Sequence, residues 1–214
     1  MIIAIANSKG GVGKSTIAVQ GSAERARRGR DVLLINGDRQ HSSELAMLAR
    51  AEARVEPAIA CVRYSEGPEL RAQLKHQRTK YDDVFIDVGG RDSSAMRAAL
   101  SMADVVVVPF APGSFDVWAL EEMNELLQEA LSTRDPFPIY ALLNLADPKK
   151  ESADNLEALS ALDDYPVYER LPFVMVRRKQ FANASGQGLS VNEFKPKVAK
   201  ASEELDLLMA VFDK

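Results

Sequence analysis

The sequence predicts an α/β fold built on a mostly parallel twisted sheet flanked by helices on both faces. Short β-branched runs alternate with longer helical stretches, the signature of βαβ units. Several of those runs are apolar at every position rather than at alternate ones, as expected of strands covered on both sides. A length of 214 residues suits one domain over 1–214. With 46% hydrophobic and 27% charged residues, the composition argues against a disordered, collagenous or disulfide-stapled chain.

In chain order, the first predicted strand is Ile2–Ala6, followed by a glycine-rich loop and a helix over Ser15–Arg28. Arg27 and Arg28 place cations near that helix's carbonyl end, and Gly29 stops it. Strand Val32–Asn36 precedes helix Ser42–Ala51, strand Ala58–Arg63 precedes helix Pro68–Gln77, and strand Val84–Val88 precedes helix Ser93–Met102. Strand Val105–Pro109 leads to helix Phe115–Leu131, and strand Ile139–Leu143 to helix Ala153–Leu162. A last helix, about Lys197–Phe212, turns acidic at Glu203, Glu204 and Asp206.

Cys61 is the only cysteine, which excludes an intramolecular disulfide and any site needing several thiolates from one chain. The amino-terminal apolar stretch is too short for a signal-peptide core and lacks a basic leader, and no run approaches the ~20 apolar residues of a membrane span. A cytoplasmic location is expected. The formal charge of −4 argues against a nucleic-acid partner only if it is evenly spread, and it is not. Residues 170–200 hold seven basic side chains, Arg170, Arg177, Arg178, Lys179, Lys195, Lys197 and Lys200, against the single acid Glu193, which is +6 and leaves −10 on the rest.

The loop Lys9-Gly10-Gly11-Val12-Gly13-Lys14-Ser15-Thr16 lies between a strand and a helix, the setting a phosphate loop needs. Glycines at 10, 11 and 13 let backbone N–H groups curl around phosphate oxygens, and the helix start adds its positive end. Lys14 is expected on the β- and γ-phosphates, and the Ser15 hydroxyl on Mg²⁺. Ser8 stands where the strict pattern has glycine, and Lys9 is an extra lysine, giving the deviant form KGGxGK[ST].

On these residues the chain resembles the deviant Walker A ATPases of the ParA/MinD superfamily, in particular the small ParA-type partition ATPases without an amino-terminal DNA-reading domain. The resemblance runs from residue 2 to about 195 and implies a P-loop NTPase fold, ATP and Mg²⁺ as cofactors, and a nucleotide-sandwich homodimer. It implies that Lys9 reaches the partner's phosphates, where a second cation compensates charge developing in transfer.

The resemblance also assigns the later motifs. Asn36-Gly37-Asp38-Arg39-Gln40 stands where relatives read DxDPQ, with Asp38 orienting the attacking water and supporting Mg²⁺. Asn36 and Arg39 are departures, and helix capping by Asp38 is the alternative reading. Val84-Phe85-Ile86-Asp87 ends an apolar strand on a carboxylate, the Walker B pattern, in which Asp87 holds Mg²⁺ through water. Val88-Gly89-Gly90 replaces the usual Thr-Pro-Pro. Pro109 to Ala119 matches PxxPSxxDxWA, with Asp116 either a contact or a cap and Trp118 in the core or a dimer interface. Asn144 is expected at the adenine edge, with a turn asparagine as the alternative, and Pro172 and Phe173 at the adenine wall.

Relatives use cations after that proline and on the terminal helices to grip DNA without sequence preference. Arg177, Arg178, Lys179, Lys195, Lys197 and Lys200 fit such a surface, with a solvated helical face as the bland alternative. The expected activity is slow, Mg²⁺-dependent ATP hydrolysis by a dimer that coats non-specific DNA and is stimulated by a ParB-like partner to move plasmid or chromosome cargo. The ATP-bound form would then be nucleoid-associated. The acidic tail disfavours a membrane role. Alternatives are an ATP switch positioning a protein cluster or conjugation complex, and a small-molecule kinase or ligase of the dethiobiotin-synthetase kind.

Overall fold

The computed structural model describes residues 1–149 and 151–213, and the side chains of residues 114–117 lie outside that description. The strands are β1 (Ile2–Ile5), β2 (Val32–Gly37), β3 (Ala60–Arg63), β4 (Asp83–Val88), β5 (Val105–Phe110), β6 (Ile139–Leu143) and β7 (Glu169–Arg170). They form one seven-stranded sheet in the order β3-β2-β4-β1-β5-β6-β7, and every pairing is parallel. The expected α/β sheet is thus found, extended by the short edge strand β7. The strand β3 begins at Ala60 rather than Ala58.

The helices are α1 (Lys14–Arg27), α2 (Ser42–Glu52), α3 (Gly67–Gln77), α4 (Ser94–Met102), α5 (Ser114–Leu131), α6 (Ala153–Ser160), α7 (Lys179–Ser185) and α8 (Ala199–Val211), with a 3-10 turn, Ala161–Asp164, after α6. The fully apolar strands are buried on both faces. Leu70 of α3, Met96 of α4, Leu127 of α5 and Leu159 of α6 pack on one side of the sheet. On the other side lie Ile17 of α1, Met47 of α2, Phe181 of α7 and Leu205 of α8. Phe212, just after α8, meets Phe85 of β4 edge to face at 5.9 Å. Helix α1 lies so near β4 that a Cβ on Gly21 would be 2.5 Å from the Phe85 ring.

Strand β1 lies between β4 and β5, so the chain leaving it enters the crevice at the carboxyl ends of the strands, where open parallel sheets place ligand chemistry. Helix α1 ends as expected, with Gly29 at φ +88°, a conformation that a side chain resists.

Candidate functional site

The loop after β1 turns on Gly11 and Gly13, both at positive φ (+81° and +92°). Asn7 fixes its start: its Oδ1 accepts from the Lys9 backbone N–H at 2.9 Å, and its Nδ2 donates to the Pro109 carbonyl near the end of β5. The loop opens onto a cleft of about 920 Å³ lined by Gly10, Gly11, Gly13, Lys14, Ser15 and Thr16 from this loop, by 37–40 after β2, by Ser65 and Glu66 after β3, and by 89–94 after β4. Four strand ends thereby converge on one space large enough for a nucleotide.

Lys14 is buried, and its ammonium donates to the Lys9 carbonyl. Burial lowers its pKa, while the charges of Asp87 and Asp38 pull it back up. Asp87 is buried at the end of β4 and its carboxyl is pushed up to about 6, mainly by burial, with the Lys14 charge pulling it down and Asp38 adding to the rise. The Oδ1 of Asp87 and the Oγ of Ser43 are buried without a hydrogen-bond partner among the described residues. An unpartnered buried carboxylate oxygen beside a serine hydroxyl is a fitting pair of hard oxygen ligands for Mg²⁺, which keeps waters and takes few protein ligands. No group of three or more His, Cys, Asp or Glu side chains placed to hold a metal ion occurs among the described residues.

Asp38 lines the cleft, its backbone N–H held by Asn36 Oδ1 at 2.9 Å and its own Oδ1 accepting from the Gln40 backbone at 3.2 Å. The glycine pair after β4 is closely fitted. A Cβ on Gly89 would be 3.1 Å from Asp38 Oδ1, and one on Gly90 2.9 Å from the Gly10 backbone N. Glycine at 90 lets this loop come so close to the phosphate-loop backbone, and Gly89 lies in tight contact with the aspartate turn.

A smaller cavity, about 60 Å³, shares Gly13 and Thr16 with the cleft and continues past Asn144, Leu145, Met175, Val176 and Arg178. A parallel bridge between Ala146 and Val176 joins the two segments that wall it. Asn144 lines it, and its Nδ2 donates to the Val12 carbonyl at 2.7 Å, bracing the loop. Pro172 and Phe173 line neither space: Pro172 is exposed and Phe173 packs on the core beside α8. The apolar wall beside Asn144 is Met175 and Val176, two residues further on. Lys9 is half-buried at the loop's start and, like Val12, does not line its own chain's cleft. Asp116 falls outside the described side chains, and Trp118 is 66% exposed, which removes the core reading for it.

The basic segment divides. Arg177, Lys179, Lys195, Lys197 and Lys200 are exposed, with no carboxylate in salt-bridge reach among the described residues. Arg178 is turned inward: its Nε and Nη2 bind Glu204 of α8, the closest contact at 2.7 Å, while Glu204 also accepts from the Val176 backbone. Arg178 therefore belongs to the cavity wall rather than to an outward cationic face. Glu193 also turns inward, meeting Arg50 of α2 with both oxygens at 2.9 and 3.0 Å. The segment before these lysines is tied to α1, where Gln20 donates to Ser185 Oγ and the Leu189 carbonyl and accepts from the Val191 backbone, and Ser190 Oγ bonds Glu24.

Sequence reasoning missed Ser43, Met175 and Val176. Ser43 follows the aspartate turn by five residues, and Val174-Met175-Val176 is a short apolar run that signals a buried segment.

Residues 3–191 match the family profile described as the CobQ/CobB/MinD/ParA nucleotide binding domain. The maintenance of carboxysome distribution protein A of Halothiobacillus neapolitanus is 26% identical over 208 residues, 97% of this chain and 94% of that protein. Protein ParA of Rhizobium radiobacter is 30% identical over 128 residues, 60% of this chain and 56% of its own. Among solved structures, apo McdA from Cyanothece superposes with a TM-score of 0.78 at 19% identity, covering 97% of this chain and 98% of that one, a likeness of fold.

Proposed function

The chain belongs to the CobQ/CobB/MinD/ParA nucleotide-binding family, and from that premise we propose that it is a positioning ATPase. ATP and Mg²⁺ bind in the cleft, with Lys14 on the phosphates, Ser15 and Asp87 on the cation and Asp38 orienting the attacking water. Lys9 contacts the phosphates of a second copy and seals a sandwich dimer. The dimer grips DNA without sequence preference through Arg177, Lys179, Lys195, Lys197 and Lys200, so the ATP form associates with the nucleoid in the cytoplasm. Hydrolysis, stimulated by a partner protein bound to the cargo, releases it.

The observation that carries the ATPase reading is the convergence of Lys14, Asp38 and Asp87 on the phosphate loop, with a buried Asp87 oxygen left unpartnered among the described residues. For the cargo, a protein body is the first reading. It is supported by a carboxysome distribution protein that matches almost the whole of both chains. Partition of DNA with a ParB-like partner is the second reading, supported by the ParA match over a shorter stretch.

Light scattering with Mg-ATP should report a dimer that Lys9→Ala prevents while nucleotide binding persists. Retention on non-specific duplex DNA should require ATP, fall with salt, and vanish when Arg177, Lys179, Lys195 and Lys197 are all alanine. Unchanged retention overturns the DNA assignment. In cells, gene deletion should cluster a protein body and leave plasmid inheritance intact; plasmid loss instead supports the partition reading.

A further inference from the structure

We infer that Glu44 is a positioning residue that acts through Asn36 to fix the Asp38 turn at the mouth of the phosphate cleft. The inference rests on the hydrolytic reading above and deepens it.

Asn36 is fully buried at the end of β2. Its Oδ1 accepts from the Asp38 backbone at 2.9 Å, while its Nδ2 donates to the Gln40 carbonyl at 2.9 Å and to Glu44 Oε1 at 3.0 Å. Two acceptors on one side and a donor on the other fix which end of the amide is nitrogen. One side chain thus closes the 36–40 turn from both ends, with both amide hydrogens committed. Asp38 Oδ1 closes the turn further on the Gln40 backbone, and the carboxylate lies against Gly89.

Glu44 is itself held. It sits in the first turn of α2, its Oε2 2.8 Å from His41 Nδ1 and its Oε1 3.6 Å from Arg63 Nε on the edge strand β3. The chain of contacts runs from α2 and β3 through Glu44 to Asn36 and so to Asp38. Removing the Glu44 acceptor leaves a buried Asn36 N–H unpaired and the turn less constrained. An aspartate at 36 would have no hydrogen for Gln40 and would set a second carboxylate against Glu44.

The test is single-turnover Mg-ATP hydrolysis with protein in excess, alongside affinity for a fluorescent ATP analogue. Glu44→Ala should lower the hydrolysis rate constant about tenfold and leave nucleotide affinity within about twofold, a split that general loosening of the fold would not give. Glu44→Gln, whose amide oxygen still accepts, should recover most of the rate. Asn36→Asp should be at least as slow as Glu44→Ala, and Asn36→Asp with Glu44→Gln should regain part of the loss because the new amide donates to the new carboxylate.

Wild-type turnover by Glu44→Ala, or a Glu44→Gln variant as slow as alanine, overturns the inference. Asp38→Ala in the same assay separates the two levels. If it is inactive while Glu44→Ala is normal, only the positioning role falls; if Asp38→Ala turns over normally, or the wild type releases no phosphate, the hydrolytic reading falls and this inference with it.

Discussion

Asn144 donates its side-chain amide to the Val12 carbonyl at 2.7 Å, so the end of β6 holds the backbone of the phosphate loop. The fit is close enough that a Cβ on Gly13 would lie 2.3 Å from the same nitrogen. A side chain that braces the loop supports any nucleotide triphosphate. Asn144→Ala should therefore weaken ATP and GTP equally, by about tenfold for the loss of one buried hydrogen bond, as calorimetric titration would measure. A loss confined to ATP would return Asn144 to the adenine edge.

Asp87 predicts a pH dependence. Burial raises its carboxyl from an ordinary 3.8 to about 6, so between those values the folded chain binds more protons than the unfolded chain. The contribution of this group to nucleotide-free stability is therefore fullest below pH 3.8 and is lost as pH rises through 6, by on the order of 3 kcal/mol. Mg²⁺ needs the ionised form, so its affinity should rise across the same window. Asp87→Asn should flatten both trends, read as the difference between variant and wild type in denaturant melts and Mg²⁺ titrations.

Arg50 and Glu193 form a nearly buried ion pair, with side chains 2% and 12% exposed. Removing one partner leaves the other charge uncompensated. Arg50 also donates to the Pro57 and Gly188 carbonyls, which lose their partner with it. Arg50→Ala should destabilise the chain by about 3–5 kcal/mol in urea unfolding, whereas Arg50→Met with Glu193→Leu should cost much less.

Arg177 and Arg178 are neighbours in sequence with different expected phenotypes. Arg177→Ala should leave the melting temperature unchanged, weaken DNA retention at every sequence alike, and reduce the salt slope by about 1. Arg178→Ala breaks the bond to Glu204 at the cavity wall and should lower stability and nucleotide affinity first. Paired melts, nucleotide titrations and salt-dependent retention would separate them.

Strands β1, β2, β4, β5 and β6 were legible to within a residue because their continuous apolar runs are a local signal. The phosphate loop, Asp38 and Asp87 were legible for the same reason, since each sits at the end of such a run. Glu169–Arg170 carries no such signal: both side chains are exposed and the strand exists only through its backbone pairing with β6. Helix α7 has seven residues, too few to show a period. Met175 and Val176, rather than Pro172 and Phe173, wall the small cavity because of the Ala146–Val176 bridge, a pairing between residues thirty positions apart. The segment's +6 counted Arg178 as outward because its partner Glu204 lies on a helix that charge counting does not fold back.

The bonds from Gln20, Glu24 and Arg50 to the stretch before Lys195 have a mechanical meaning. The lysines that follow ride on the same block as the phosphate loop, not on a tether that could swing out when nucleotide arrives. On the proposed DNA role, one copy would then offer a phosphate track the same handful of cations before and after nucleotide binds. On that role, nucleotide control over grip would come from valence: two copies locked together would meet the track at two points, and each would let go only when the other does.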